Sequence, residues 1–234
     1  VCDNAYVHAG QYAYGNEDTP ESIRSLCIDP FRGDGSAVEC WQLLSDNGVT
    51  RGRVAIAMNY FDFTYDDGKG DYNASLNETG EFYVDRLLQY MDLGGDPLIL
   101  FYIHRSTGLC NSTGKLTYPD PSQARSDSEQ MLHLIEKYVV AFSTLFDGRQ
   151  TYTFSDGRQE ILPRIDYFEI FNEINLDSFQ FECADLSDRE FADWQNSAGK
   201  SLVKARPDAK VSVSGLSGFT TDYLLENIAS WDPD

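Results

Sequence analysis

Reactive residue types gather in the segment Ile165-Asp-Tyr-Phe-Glu-Ile-Phe-Asn-Glu-Ile-Asn-Leu-Asp177. An apolar run ends there in Asn172-Glu173 and gives way to polar and acidic residues. A carboxylic acid at the lip of a strand, kept protonated by a partly apolar surround, can hand its proton to a leaving oxygen. An amide beside it can bond a neighbouring sugar hydroxyl more tightly in the transition state than before it. Period-two alternation puts Glu169, Phe171 and Glu173 on one side of the strand. The plainer reading of the same dipeptide is a solvated loop that starts where a strand stops.

Elements must hold such a residue in place, and the chain alternates short apolar strands with amphipathic helices. Strands are expected at Ala5–His8, Val54–Met58, Leu98–Ile103, Ile165–Phe171 and Val211–Val213. Helices are expected at Ser36–Asp46, Glu81–Leu93, Gln123–Phe146, Ser187–Ala205 and Thr220–Ala229. Met131, Leu134, Ile135, Tyr138, Val139, Phe142 and Phe146 recur at helical spacing. Thr151–Ile161, with Ser155-Asp156-Gly157 in its middle, reads as a small β-hairpin. Strand-helix repetition predicts an α/β fold of parallel βα units, either a barrel or a doubly wound sheet. No G-x-G-x-x-G or P-loop follows any strand, so a nucleotide site lacks its phosphate cradle. The long loops, Asn59–Gly80 and His104–Ser122, follow strands, which places function at the strands' C-terminal ends.

Composition narrows the partners. The chain has 234 residues, and 38 acidic residues against 18 basic ones give a formal net charge of −20. That excess argues against nucleic acid, which is bound through cationic contacts to phosphate, and against an anionic lipid surface. No run of apolar residues is long enough to span a membrane. Five cysteines, Cys2, Cys27, Cys40, Cys110 and Cys183, include no C-x-x-C pair and no cluster at zinc spacing. Sequons at Asn73, Asn77 and Asn111, all in polar stretches, point to an extracellular, secreted glycoprotein. Asp62, Asp66, Asp67 and Asp71 lie with Gly68 and Gly70. Their spacing is not that of an EF-hand, and a solvated loop is the simpler reading. Neither a metal nor a cofactor is expected.

The string Phe168-Glu-Ile-Phe-Asn-Glu-Ile-Asn-Leu176 resembles the fourth-strand motif of the clan of retaining (β/α)8 glycoside hydrolases. Within that clan it is most similar to the family of β-xylosidases and α-L-iduronidases, which reads like F-E-V-W-N-E-P-N-L. The stretch from Phe191 and Trp194 through Ala198, Val203, Lys204 and Pro207 to Lys210–Ser214 is similar to that family's fourth helix and fifth strand. Asp46-Asn-Gly-Val49 followed by Arg53 is similar to the clan's passage into strand two.

The resemblance implies a partial (β/α)8 barrel of about five βα units with a small hairpin insertion. Residues 1–234 would be the N-terminal part of a single glycosidase-like domain. It implies a carbohydrate substrate, Glu173 as general acid/base and Asn172 on the hydroxyl next to the anomeric carbon. Arg53 would steady the carboxylates; its plainer reading is a surface or strand-edge arginine. His104 would touch a sugar or be satisfied by local backbone, and His8 has the same two readings. Phe171 and Trp194 read as packing.

Two departures stand out. Ile174 replaces the family's proline, and no segment reads as strands six to eight, where the clan keeps its nucleophile. A retaining enzyme needs that second carboxylate about 5 Å from the first. Five parallel strands do not close a barrel, so another chain or a continuation is expected to complete it. On this layout Cys110 is expected to bond Cys183, and Cys27 to bond Cys40, leaving Cys2 over; other connectivities stay open. The alternative function is a catalytically silent glycosidase-like module, serving as a structural or carbohydrate-binding block of an extracellular assembly.

Overall fold

A computed structural model of the chain describes residues 25–27, 42, 45–46, 51–103, 109–111, 113–172 and 186–212, with backbone alone at 25–27 and 188. Five parallel strands form the main sheet among these residues: β1 (Ser25–Cys27), β2 (Arg51–Ala57), β5 (Asp96–Tyr102), β8 (Tyr167–Ile170) and β9 (Lys210–Ser212). Their order across the sheet is β1-β2-β5-β8-β9, which is also their order along the chain. Three helices, α1 (Glu78–Asp92), α2 (Asp127–Leu145) and α3 (Asp188–Ala205), alternate with the strands. Val54, Ile56, Ile99, Phe101, Phe168 and Ile170 share one core with Val84, Leu87, Leu134, Tyr138, Phe142 and Leu202 of the helices. All three helices therefore cover the same face of the sheet. A doubly wound sheet would reverse its strand order at a switch point and put helices on both faces. The described fold is a partial α/β barrel.

Strand sequence explains which side is which. In β2 the buried residues Gly52, Val54 and Ile56 alternate with half-buried Arg51, Arg53, Ala55 and Ala57. The first set meets the helices, and the second lines the inner face. Leu100 on β5 is buried yet stands outside the helix-side core. In register it lies between Ala55 and Glu169, so it belongs to that inner face.

Helix starts follow local chemistry. Asn77 caps α1, its Oδ1 accepting from the Gly80 N–H. Ser126 with Glu129 and Ser187 with Glu190 form capping boxes on α2 and α3, each satisfying two otherwise unpaired donors. The α2 and α3 ranges lie within a few residues of those expected, as do β2, β5, β8 and β9. Phe171 and Trp194 are buried in the core, as expected of packing residues.

Three expectations need correction. The stretch read as a loop from Asn59 holds an antiparallel hairpin, β3 (Phe61–Asp66) with β4 (Asp71–Leu76). Phe61, Phe63, Tyr72 and Leu76 are buried, an alternation that the acidic residues between them obscured. Asp66 is used in that hairpin's turn, where its Oδ1 accepts from the Gly68 and Lys69 N–H groups. Secondly, β1, a strand not expected from the sequence, pairs in parallel with β2. Thirdly, Phe171 does not share the side of Glu169, because its backbone is left-handed with φ of 69°. The hairpin β6 (Thr151–Thr153) with β7 (Gln159–Ile161) forms where expected. The expected elements Ala5–His8 and Thr220–Ala229 lie outside the described residues.

Candidate functional site

Asn172 follows β8 by two residues, at the C-terminal end of the sheet's inner face. Arg53 reaches it from β2, spanning β5. The guanidinium donates from Nε to Glu169 Oε2 and from an Nη to Glu169 Oε1, both at 2.7 Å. The same Nη donates to Asn172 Oδ1 at 2.7 Å. This is a two-pronged ion pair with an amide attached, and its parts come from two strands separated by a third. Glu169 is buried between the core residues Phe168 and Ile170 in sequence, a setting in which a carboxylate requires a cation.

A second polar layer lies at the opposite, N-terminal end of the same strands. Arg51 and Asp96 begin β2 and β5 and are register partners. The Arg51 Nε donates to Asp96 Oδ2 at 3.0 Å. Its guanidinium lies 4.2 Å from the centre of the Tyr167 ring, and the Lys210 Nζ donates to the Tyr167 hydroxyl at 3.1 Å. The Lys210 bond, followed by Arg51, brings the Tyr167 phenol below its ordinary pKa. Burial lowers that of Arg51, but the bonds to Asp96 and Tyr167 outweigh it and raise it. In barrels this interior is commonly filled by branched apolar residues. Here it carries arginine, aspartate, tyrosine, glutamate and lysine.

Of the sequence-derived site residues, the fold brings Arg53 and Asn172 into direct contact. The plain reading of Arg53 as a strand-edge arginine is thereby corrected: β2 lies between β1 and β5, and its Arg53 side chain crosses the inner face. Glu173, His104, His8, Cys2, Cys40 and Cys183 lie outside the described residues, as does the side chain of Cys27. Cys110 is disulfide-bonded, and its partner's side chain is outside that set too. Asn73 and Asn111 are exposed. The Asn111 Oδ1 accepts from the Thr113 hydroxyl at 2.7 Å within its own sequon. Asn77 is half-buried and donates from Nδ2 to the Asn59 carbonyl at 3.0 Å while its Oδ1 caps α1. Asp71 is bonded to His133 and Lys137 on α2. Sequence reasoning gave Glu169 no separate role. Its signal was an acid flanked by Phe168 and Ile170 within the expected strand, which must find a cationic partner somewhere.

No family model and no curated protein matches the chain. Solved structures similar to it include glycoside hydrolases. The GH39 enzyme from Xanthomonas axonopodis pv. citri is 20% identical, with a TM-score of 0.49 over 88% of this chain and 38% of that one. An endo-1,4-beta-mannanase from Rhizomucor miehei is 14% identical, with a TM-score of 0.47 over 81% of this chain and 54% of that one. Beta-glucosidase 2 from the fungus Trichoderma reesei is 17% identical, with a TM-score of 0.42 over 75% of this chain and 35% of that one. The chain thus spans about half or less of the length of these structures.

Proposed function

We propose that the chain is part of an extracellular glycoside hydrolase-like protein that cleaves O-glycosidic bonds of a polysaccharide. Glu173 is the general acid/base, Asn172 binds the hydroxyl next to the anomeric carbon, and Arg53 fixes Asn172. A continuation or another chain supplies the rest of the barrel. Cys110 pairs with Cys183, and the sequons carry glycans. The single observation that supports this reading is Arg53 held between Glu169 and Asn172 on the inner face of the sheet. An amide fixed in this way, one residue before a glutamate in sequence, suits recognition of a sugar hydroxyl at the bond to be broken.

The test is hydrolysis of polysaccharides and unactivated glycosides, neutral and uronic, by the whole protein and its Glu173→Gln variant. Loss of the acid is expected to lower kcat/KM by about 10²- to 10⁴-fold. Unchanged turnover would remove Glu173 from the mechanism.

One observation favours the second reading, a silent module that binds sugar or builds an assembly. Among the described residues of the inner face the carboxylates are Glu169 and Asp96, and each is bonded to an arginine. Such ties give the sheet the rigidity that a building block needs. Carbohydrate binding by calorimetry, with no turnover of any bound oligosaccharide, would favour this reading over the first.

A further inference from the structure

We infer that Phe171 is a positioning residue, whose left-handed backbone turns Asn172 back onto the inner face where Arg53 holds it. This rests on the role proposed for Asn172. In an unbroken strand, residues 168, 170 and 172 would share one side. Phe168 and Ile170 lie in the helix-side core, so a regular strand would send the Asn172 amide in after them. It would also send the Phe171 ring to the inner face, beside Glu169. The observed faces are exchanged. Phe171 is 1% exposed and belongs to the helix-side core, whereas Asn172 is half-buried and accepts from Arg53.

The exchange occurs at one residue. The Phe171 N–H still donates to the Phe101 carbonyl at 3.1 Å, so β8 stays paired with β5 up to that point. The backbone then takes a φ of 69°, a region that a bulky L-residue rarely adopts. Glycine would adopt it freely but would bring no ring. Phe171 accepts the strain because its ring gains the core on one side of the twist and Asn172 gains Arg53 on the other. Strained conformations of this kind persist where the surroundings over-determine them, and they gather at functional sites.

The test compares Phe171→Val, Phe171→Gly and Phe168→Val in the whole protein. Nitrogen-15 spectra follow the Asn172 side-chain amide, assigned with Asn172→Ser, and the Arg53 Nε–H. Valine strongly resists the left-handed region, so in Phe171→Val both signals are expected to lose their native positions. Phe171→Gly keeps access to that region and is expected to retain them. Phe168→Val trims the core at a regular strand position; it lowers Tm but leaves both signals in place. Where the wild type hydrolyses glycosides, Phe171→Val also lowers kcat about tenfold or more, and Phe171→Gly recovers most of that loss.

Native signals in Phe171→Val, their loss in Phe171→Gly, or their equal loss in Phe168→Val would overturn the inference. If Phe171→Val does not fold, the other two variants decide by the same criteria. A wild type inactive on every glycoside, but with signals that follow the variants as expected, would sink the hydrolase reading and leave the positioning role standing.

Discussion

Arg53 is the residue on which the inner face turns, because it neutralises the buried Glu169 carboxylate and orients Asn172. Arg53→Ala leaves that carboxylate without its cation, and urea denaturation is expected to show a loss of about 1–3 kcal/mol. Arg53→Lys should recover little, since an ammonium cannot form the two parallel bonds. The double variant Arg53→Met/Glu169→Gln should cost less than the sum of the single changes, which a double-mutant cycle would read as coupling. Asp71 makes a separate prediction at the same scale. Burial pushes its carboxyl up, but the bonds from Lys137, then His133, then the Tyr72 N–H outweigh this and bring it down to about 2 from an ordinary 3.8. A depressed carboxylate stabilises the fold above its ordinary pKa, and that contribution is lost as pH falls from about 3.8 through about 2. Acid unfolding followed by circular dichroism should therefore be less steep in this window for Asp71→Asn, which is also less stable at neutral pH.

Elements are joined by a few specific contacts, and these predict where the fold breaks. Arg206, just past α3, is buried and donates to the carbonyls of Ser143, Phe146 and Ile165. It closes the C-terminal end of α2 and ties it to the segment leading into β8. Arg206→Ala would remove three buried hydrogen bonds at once, with the Phe146 carbonyl keeping only the Ile165 N–H, an expected loss of about 2–4 kcal/mol by chemical denaturation. The β3–β4 hairpin meets α1 through Gly80, where a Cβ would run into the Tyr60 carbonyl oxygen. Gly80→Ala must push backbone apart and is expected to cost about 1–3 kcal/mol, with Tm as the measurement. The second hairpin is held by the Glu81 carboxylate on α1, which accepts from the Tyr152 hydroxyl and the Ser155 N–H. Both hairpins therefore touch α1, and the first is also bonded to α2 through Asp71.

At the scale of the whole molecule, charge outweighs any single contact. A formal net charge of −20 repels itself in the compact state. The ion pairs among the described residues are mostly partly exposed and contribute little each. Salt should relieve more repulsion than it weakens attraction, so Tm is expected to rise between low ionic strength and about 0.5 M sodium chloride. A flat or falling Tm would mean that the local pairs outweigh the net charge. The inner face belongs to this scale as well. Its two polar layers, Arg51 with Asp96, Tyr167 and Lys210 at one end and Arg53 with Glu169 and Asn172 at the other, are bound sideways across strands that chain order alone places side by side.

The sequence by itself determined the helices, most strands of the main sheet and their parallel arrangement, because hydrophobic period is local; it missed β1 and the β3–β4 hairpin. The 3.6-residue pattern of α2 could be read within a few residues of where the helix forms. It also marked Asn172 and Arg53 as residues of interest. Tertiary structure alone decided that these two touch, that Glu169 is the carboxylate between them and that α1, α2 and α3 share one face. Each of these depends on register between segments more than a hundred residues apart in sequence. It alone decided the side on which Asn172 emerges, because a single left-handed φ at Phe171 overrides the alternation that any strand pattern would predict.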